Sequence, residues 1–165
     1  MAVGFSLGIV ELLHRSDEET AVGHLGPDLL GPDWDEEKAL SRLIAQPTRP
    51  IREALLDQRI LAGIGNMYAA ELCFLHGVHP ERRVSEVSNC LRLIRRAKQV
   101  LDLNKVRAIQ CTTGDLRDGS RMWVYRRDKH PCLRCGTIIK VAMLGDLGRE
   151  RAAYWCPQCQ PSDIR

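Results

Sequence analysis

No apolar run in this chain approaches the roughly 20 residues needed to span a bilayer. The opening MAVGFSLGIVELLHRSDEE lacks a basic cluster ahead of its apolar stretch and is followed by acids, so no secretory signal is expected. Internal repeats and low-complexity tracts are missing as well, which excludes a repeat architecture. At 44% hydrophobic and 27% charged residues, the composition is that of a globular protein and not of a disordered one. The cysteines do not pair off evenly, since there are seven. The expectation is a cytoplasmic protein of one domain, or of one small domain with an appendage, with no membrane partner.

The modest net charge of +3 hides an asymmetry. Residues 1–48 hold three basic and nine acidic residues, a net −6, which leaves +9 for residues 49–165. A positive field over the last two-thirds of the chain favours a polyanionic partner, nucleic acid above all, although a basic surface kept for solubility would look the same.

Punctuation by Gly and Pro divides the chain. GHLGPDLLGPDW reads as an extended linker. A helix is expected after Asp33 or Asp35, with acids in its first turn and Ala39, Leu40, Leu43 and Ile44 on one face. Pro50 can start a second short helix, IREALLDQRIL. In AGIGNMYAAELCFLHGVHP, two glycines make a tight turn and Asn66 lies at a helix N-cap or in its first turn. Ile64, Met67, Tyr68, Leu72 and Leu75 then repeat at helical spacing until Gly77 and Pro80. A longer helix is expected over about 84–110, with Val87, Leu91, Ile94 and Leu101 inward and Arg92, Arg95 and Arg96 on a solvated face. Beyond residue 120, RMWVY and TIIKVAML suit β-hairpins. The fold class expected is therefore mainly α, followed by a small β-hairpin module.

Cys132, Cys135, Cys156 and Cys159 form two C-x-x-C pairs separated by twenty residues, the spacing of a zinc ribbon. Four thiolates close a tetrahedral shell, so a zinc ion held there is structural and His130 is surplus. Two disulfides are the competing reading, disfavoured in a reducing compartment. Cys73, Cys90 and Cys111 fall in helical-looking stretches and read as small buried hydrophobes. The loop between the pairs presents Arg149 and Arg151 at or near a hairpin tip, where a guanidinium could bind phosphate bidentately or enter a groove.

LLDQRILAGIGNMYAAELCFLHGVHP, followed by VYRRDKHPCLRCGTIIK and GRERAAYWCPQCQ, resembles the formamidopyrimidine-DNA glycosylase and endonuclease VIII family from about residue 22 onward. The spacing and the many arginines resemble its actinobacterial endonuclease VIII branch. The resemblance implies three parts: a remnant and linker over 1–31, a helix–two-turn–helix DNA-binding domain over 32–120, and a zinc-finger module over 121–165. It implies damaged or abasic duplex DNA as partner and a monomer as the working state. It further implies that Asn66 contacts a DNA phosphate beside the lesion and that Arg151 grips the phosphates flanking an extruded nucleotide. The family's chemistry, base excision with strand cleavage at the abasic site, uses an N-terminal proline amine followed by a glutamate. This chain begins MAVGFS, so no catalytic residue is assigned and the chain alone is expected to bind DNA without turnover. Two alternatives stay open: an enzyme whose start is mis-assigned or whose missing domain is supplied in trans, and a zinc-ribbon adaptor for proteins.

Overall fold

The structure, a computed structural model, describes His14 and residues 23–162. Residues 1–13, within the expected remnant, lie outside the described residues. Four α-helices and one two-stranded sheet make up the described chain: α1 (Glu36–Ile44), α2 (Ile51–Leu56), α3 (Asn66–His76), α4 (Cys90–Asn104), β1 (Lys140–Leu144) and β2 (Arg151–Trp155).

The first helix starts where its acids place it. Asp35 caps α1 by accepting from the Lys38 amide at 2.9 Å, while Glu36 and Glu37 sit against the positive helix end. Ala39 and Leu43 are buried, but Ile44 is 53% exposed, one step off the inward face. The stretch before α1 is not the free linker that its glycines and prolines suggest. Leu29 is fully buried, and the segment docks on the loop after α2 through Gly26 N to Gln58 O (2.7 Å) and Leu29 N to Ala62 O (3.1 Å). A Cβ at Gly26 would lie 2.5 Å from the Ile60 carbonyl oxygen, so the close approach admits only glycine.

Between α2 and α3 the chain turns twice, and side chains hold the turns. Gln58 accepts from the Gly63 amide (3.0 Å) and donates to the Ile64 carbonyl (2.8 Å). Asp57 receives Arg59 and, at 2.7 Å, Arg49. Arg59 first, and Arg49 with it, hold the Asp57 carboxyl well below the usual carboxylate range. A depressed folded-state pKa contributes stability above the unfolded value near ~4 that is lost as pH falls. Asp57→Asn is therefore expected to cost about 1 kcal/mol at pH 7, because the arginines are partly solvated. The loss should begin to shrink below about pH 4 and vanish only as pH falls through the depressed folded-state value, as melts over a descending pH series would show.

The third helix runs to Gly77, whose left-handed φ of 72° permits the closing turn. Gly77 and Val78 donate to the carbonyls of Phe74 and Cys73 (3.0 and 2.9 Å), which satisfies the helix end. The long helix expected over 84–110 is shorter and starts later. Val84–Glu86 form one 3-10 turn, Asn89 adopts a left-handed φ of 55° and caps α4, and α4 ends at Asn104. Asn can take that conformation at small cost, which breaks the helix from the turn before it. At the far end the Asn104 side chain bends the chain back by accepting from Cys111 N (2.7 Å) and donating to Cys111 O (3.0 Å). Leu93 and Ala97, not Leu91, complete the buried face with Ile94 and Leu101.

These elements enclose two cores. The larger gathers Leu29, Leu43, Leu55, Leu72, Ile94 and their neighbours from α1 to α4. The smaller joins Ala70 and Phe74 of α3 to Val124, Cys132, Ile139 and Cys156. The two modules thus share α3, so their cores are adjacent but not independent. RMWVY, expected in a hairpin, forms no strand. Its amides at Trp123, Val124 and Tyr125 turn inward to the fully buried Glu71 carboxylate (2.8, 2.8 and 2.9 Å), which the Thr112 hydroxyl also reaches. From TIIKVAML only Lys140–Leu144 forms a strand, antiparallel to β2 in the register Lys140↔Trp155 to Leu144↔Arg151.

Candidate nucleic-acid interface and metal centre

The four paired cysteines converge. Their sulfurs all lie within 4.8 Å of one another, with Cys132 and Cys159 4.0 Å apart and Cys135 and Cys156 3.4 Å apart. Sulfurs bound tetrahedrally at ~2.3 Å from one ion would be about 3.8 Å apart, whereas a disulfide needs ~2.05 Å. All seven cysteines are unbridged. The site can hold one metal ion, with no protein group left over for an open coordination position.

Local turns aim the sulfurs. In the first pair Gly136 donates to Cys132 O (2.9 Å), and Cys132 N donates to Thr137 O (2.8 Å). In the second, Cys159 N points at Cys156 Sγ (3.4 Å). The fully buried Gln160 locks this turn, accepting from Cys156 N at 3.0 Å while donating to Val78 O at 2.8 Å. The second pair is thereby tied to the closing turn of α3. Hydrogen bonds from Thr137 hold the Cys135 thiol down to about 6, while burial pushes Cys156 and Cys159 up. A metal ion must displace protons from these last two, so its affinity rises with pH. Cys73 and Cys111 are buried as expected, and burial pushes the Cys73 thiol up to about 12. Cys90 is only half-buried.

At the turn end of the hairpin, a cleft of about 900 Å³ opens beside the residues before α3. Asn66, the first residue of α3, donates from its side-chain amide to the Ala152 carbonyl of β2 at 2.9 Å. Arg151 opens β2 and is exposed, as is Arg149 in the turn before it. The two residues singled out in the sequence for phosphate contact are therefore brought near one another: Arg151 lines the cleft, and Asn66, next to the lining Gly65, bonds the carbonyl of the residue after Arg151. Basic groups do not line it alone. Glu53 and Asp57 are also there, and Asp57 neutralises Arg49 at 2.7 Å. At the hairpin itself Arg149 and Arg151 share the cleft with Asp146 and Glu150.

Three site residues had escaped the sequence reading. Arg52 is 2% exposed and donates to Asn66 Oδ1 at 2.6 Å and to the Arg151 carbonyl at 3.2 Å. Glu71 and Gln160 are the others. The available signal was Glu71, a charged residue inside the otherwise apolar run MYAAELCF, whereas Arg52 stands beside Glu53 in IREALL and gave none. Further packing joins the modules: Phe74 stacks on Trp123 (5.3 Å, 22°) with the Arg134 guanidinium 4.3 Å over the Phe74 ring, and His79 meets Trp155 edge-on at 5.1 Å.

The family model of the formamidopyrimidine-DNA glycosylase H2TH domain matches residues 25–116. The chain is 55% identical over 161 residues to a protein named probable endonuclease 8 2 from Streptomyces coelicolor, covering 96% of this chain and 58% of that protein. It is 50% identical over 159 residues to the DNA-(apurinic or apyrimidinic site) lyase Nei2 of Mycolicibacterium smegmatis, covering 96% and 62%. It thus spans less than two-thirds of the length of these curated relatives. Among solved structures, the complex of Lactococcus lactis Fpg with DNA containing an abasic site superposes with a TM-score of 0.64 at 26% identity, covering 84% of this chain and 52% of that one. No helix among the described residues is long and apolar enough to cross a membrane. Motif, domain match and identity agree: the chain belongs to the formamidopyrimidine-DNA glycosylase and endonuclease VIII family.

Proposed function

We propose that this chain is the DNA-binding part of a bifunctional DNA glycosylase and abasic-site lyase, gripping the backbone of damaged duplex DNA, with a structural zinc ion in the four-thiolate site. The observation that carries this reading is the hydrogen bond from Asn66 at the start of α3 to the Ala152 carbonyl, which sets the helix end beside the strand that bears Arg151. A helix N-terminus offers amides and a positive dipole end to phosphate. The hairpin offers a guanidinium that can take a phosphate bidentately. Zinc supports this role indirectly, because a module of about 40 residues cannot hold its hairpin by hydrophobic burial alone. Endonuclease and abasic-site lyase are names that the longer relatives carry.

The test is binding of the 165-residue chain to a duplex carrying one abasic site, measured across a salt series. Affinity should fall steeply with salt, by about one slope unit per phosphate contact. Arg151→Ala should weaken binding by about tenfold and lower the slope by about one, while Arg149→Ala should do less. Equal losses at both positions would reduce the hairpin to a diffuse positive charge and sink the assigned role of Arg151.

A further inference from the structure

Arg52 is a buried guanidinium in an unusual setting. It is 2% exposed, makes no ion pair among the described residues, and its Nε has no hydrogen-bond partner among them. Burial pulls its pKa below the ordinary arginine value, partly offset by Cys73 and Glu53 nearby. A charge kept in such a place without a paired carboxylate is costly, and an apolar residue of the same volume would fill the space at less cost. What the guanidinium does there is join three pieces of backbone and side chain. Its Nη2 donates to Asn66 Oδ1 at 2.6 Å and to Arg151 O at 3.2 Å, and Nη1 lies 3.4 Å from Leu144 O. Leu144 and Arg151 face one another across the hairpin, at the end nearest its turn. With its oxygen held by Arg52, the Asn66 amide is turned so that its NH2 group meets the Ala152 carbonyl.

We propose that Arg52 is a positioning residue for DNA contact, a clamp that fixes the zinc hairpin bearing Arg151 against the helix end bearing Asn66. This rests on the DNA-binding reading above. Being covered, Arg52 acts through the residues it holds and not through a phosphate of its own. With the clamp in place, the strand carrying Arg151 has one direction relative to α3, so both groups meet the backbone together without an ordering cost at binding. A planar fork with several donors suits this task, and a lysine ammonium on a flexible stem does not.

The experiment compares the wild-type chain with Arg52→Met, Arg52→Lys, Arg151→Ala and the Arg52→Met/Arg151→Ala double variant on the abasic-site duplex across the same salt series. Zinc content and melting temperature are checked for each. Arg52→Met should keep its zinc and lose about tenfold in affinity, with the salt slope reduced by about one because Arg151 no longer engages. Adding Arg151→Ala to it should then cost less than about threefold more and leave the slope unchanged, since coupled residues are not additive. Arg52→Lys should resemble Arg52→Met, and it carries the test should the methionine variant fail to fold. Wild-type affinity in both Arg52 variants, full rescue by lysine, or losses that multiply with a slope reduced by two would each overturn the clamp. In the last case Arg52 would touch a phosphate itself. A wild-type chain with no salt-dependent binding would instead overturn the DNA reading, and the clamp with it.

Discussion

Glu71→Gln is expected to destabilise the chain by about 3–5 kcal/mol. The carboxylate is fully buried and accepts three backbone amides, those of Trp123, Val124 and Tyr125, together with the Thr112 hydroxyl. Each such bond to a charged acceptor contributes about 1.5–3 kcal/mol. A glutamine has one acceptor oxygen, and its NH2 would confront amides that also donate. At least one amide would be left buried without a partner. Urea or thermal unfolding measures the loss. Hydrogen exchange should localise it to residues 112–125, which have no strand or helix of their own to fall back on. Wild-type stability in this variant would mean that the segment is held by its aromatic packing instead.

Removal of metal is expected to have the second large effect. Elemental analysis should find one zinc per chain, and a strong chelator or Cys156→Ser should unfold β1, β2 and both cysteine turns. Structural zinc contributes folding free energy outright, because the unfolded chain has no preformed site. Cys156 is fully buried in the smaller core, so its replacement removes a ligand and a packing group together. The loss should spread. Phe74 and Ala70 would lose their partners, and the clamp between Arg52 and the hairpin would open. Duplex binding should therefore weaken at least as much as in Arg151→Ala. Acid should reproduce the effect, because protons compete for the raised thiols of Cys156 and Cys159. Finding no zinc in protein purified without chelator would remove the basis of this expectation.

Features set by neighbours in sequence could be read from the letters. The cap at Asp35, the stop at Gly77 and the turn within each C-x-x-C pair all follow from residues within a few positions of one another. What could not be read depends on distant partners. RMWVY alternates like a strand, yet its amides bond a carboxylate more than fifty residues earlier. GHLGPDLLGPDW has a linker's composition, yet Leu29 is drawn into the main core. The helix expected over 84–110 has the right apolar spacing on both sides of Asn89, and only the backbone reversal there interrupts it. Arg52 drew no notice within its short helix, because nothing local shows that a hairpin from ninety-odd residues later covers it.

The helix that both cores share also decides how this polypeptide can be divided. From Met67 to Phe74 nearly every residue of α3 is covered, on one side by the helices and on the other by the cysteine module. Such a helix has no face to spare for water. A cut at residue 120, which the change from helical to β pattern invites, would strip Phe74 and Ala70 bare on one fragment and leave Val124, Ile139 and Cys156 without a floor on the other. Expressed separately, the first piece should be prone to aggregate. The second should bind zinc yet fail to order its hairpin. Mixed together with zinc, the two pieces should recover structure that neither has alone, as parts of one cooperative unit whose seam runs along the helix and not between residues.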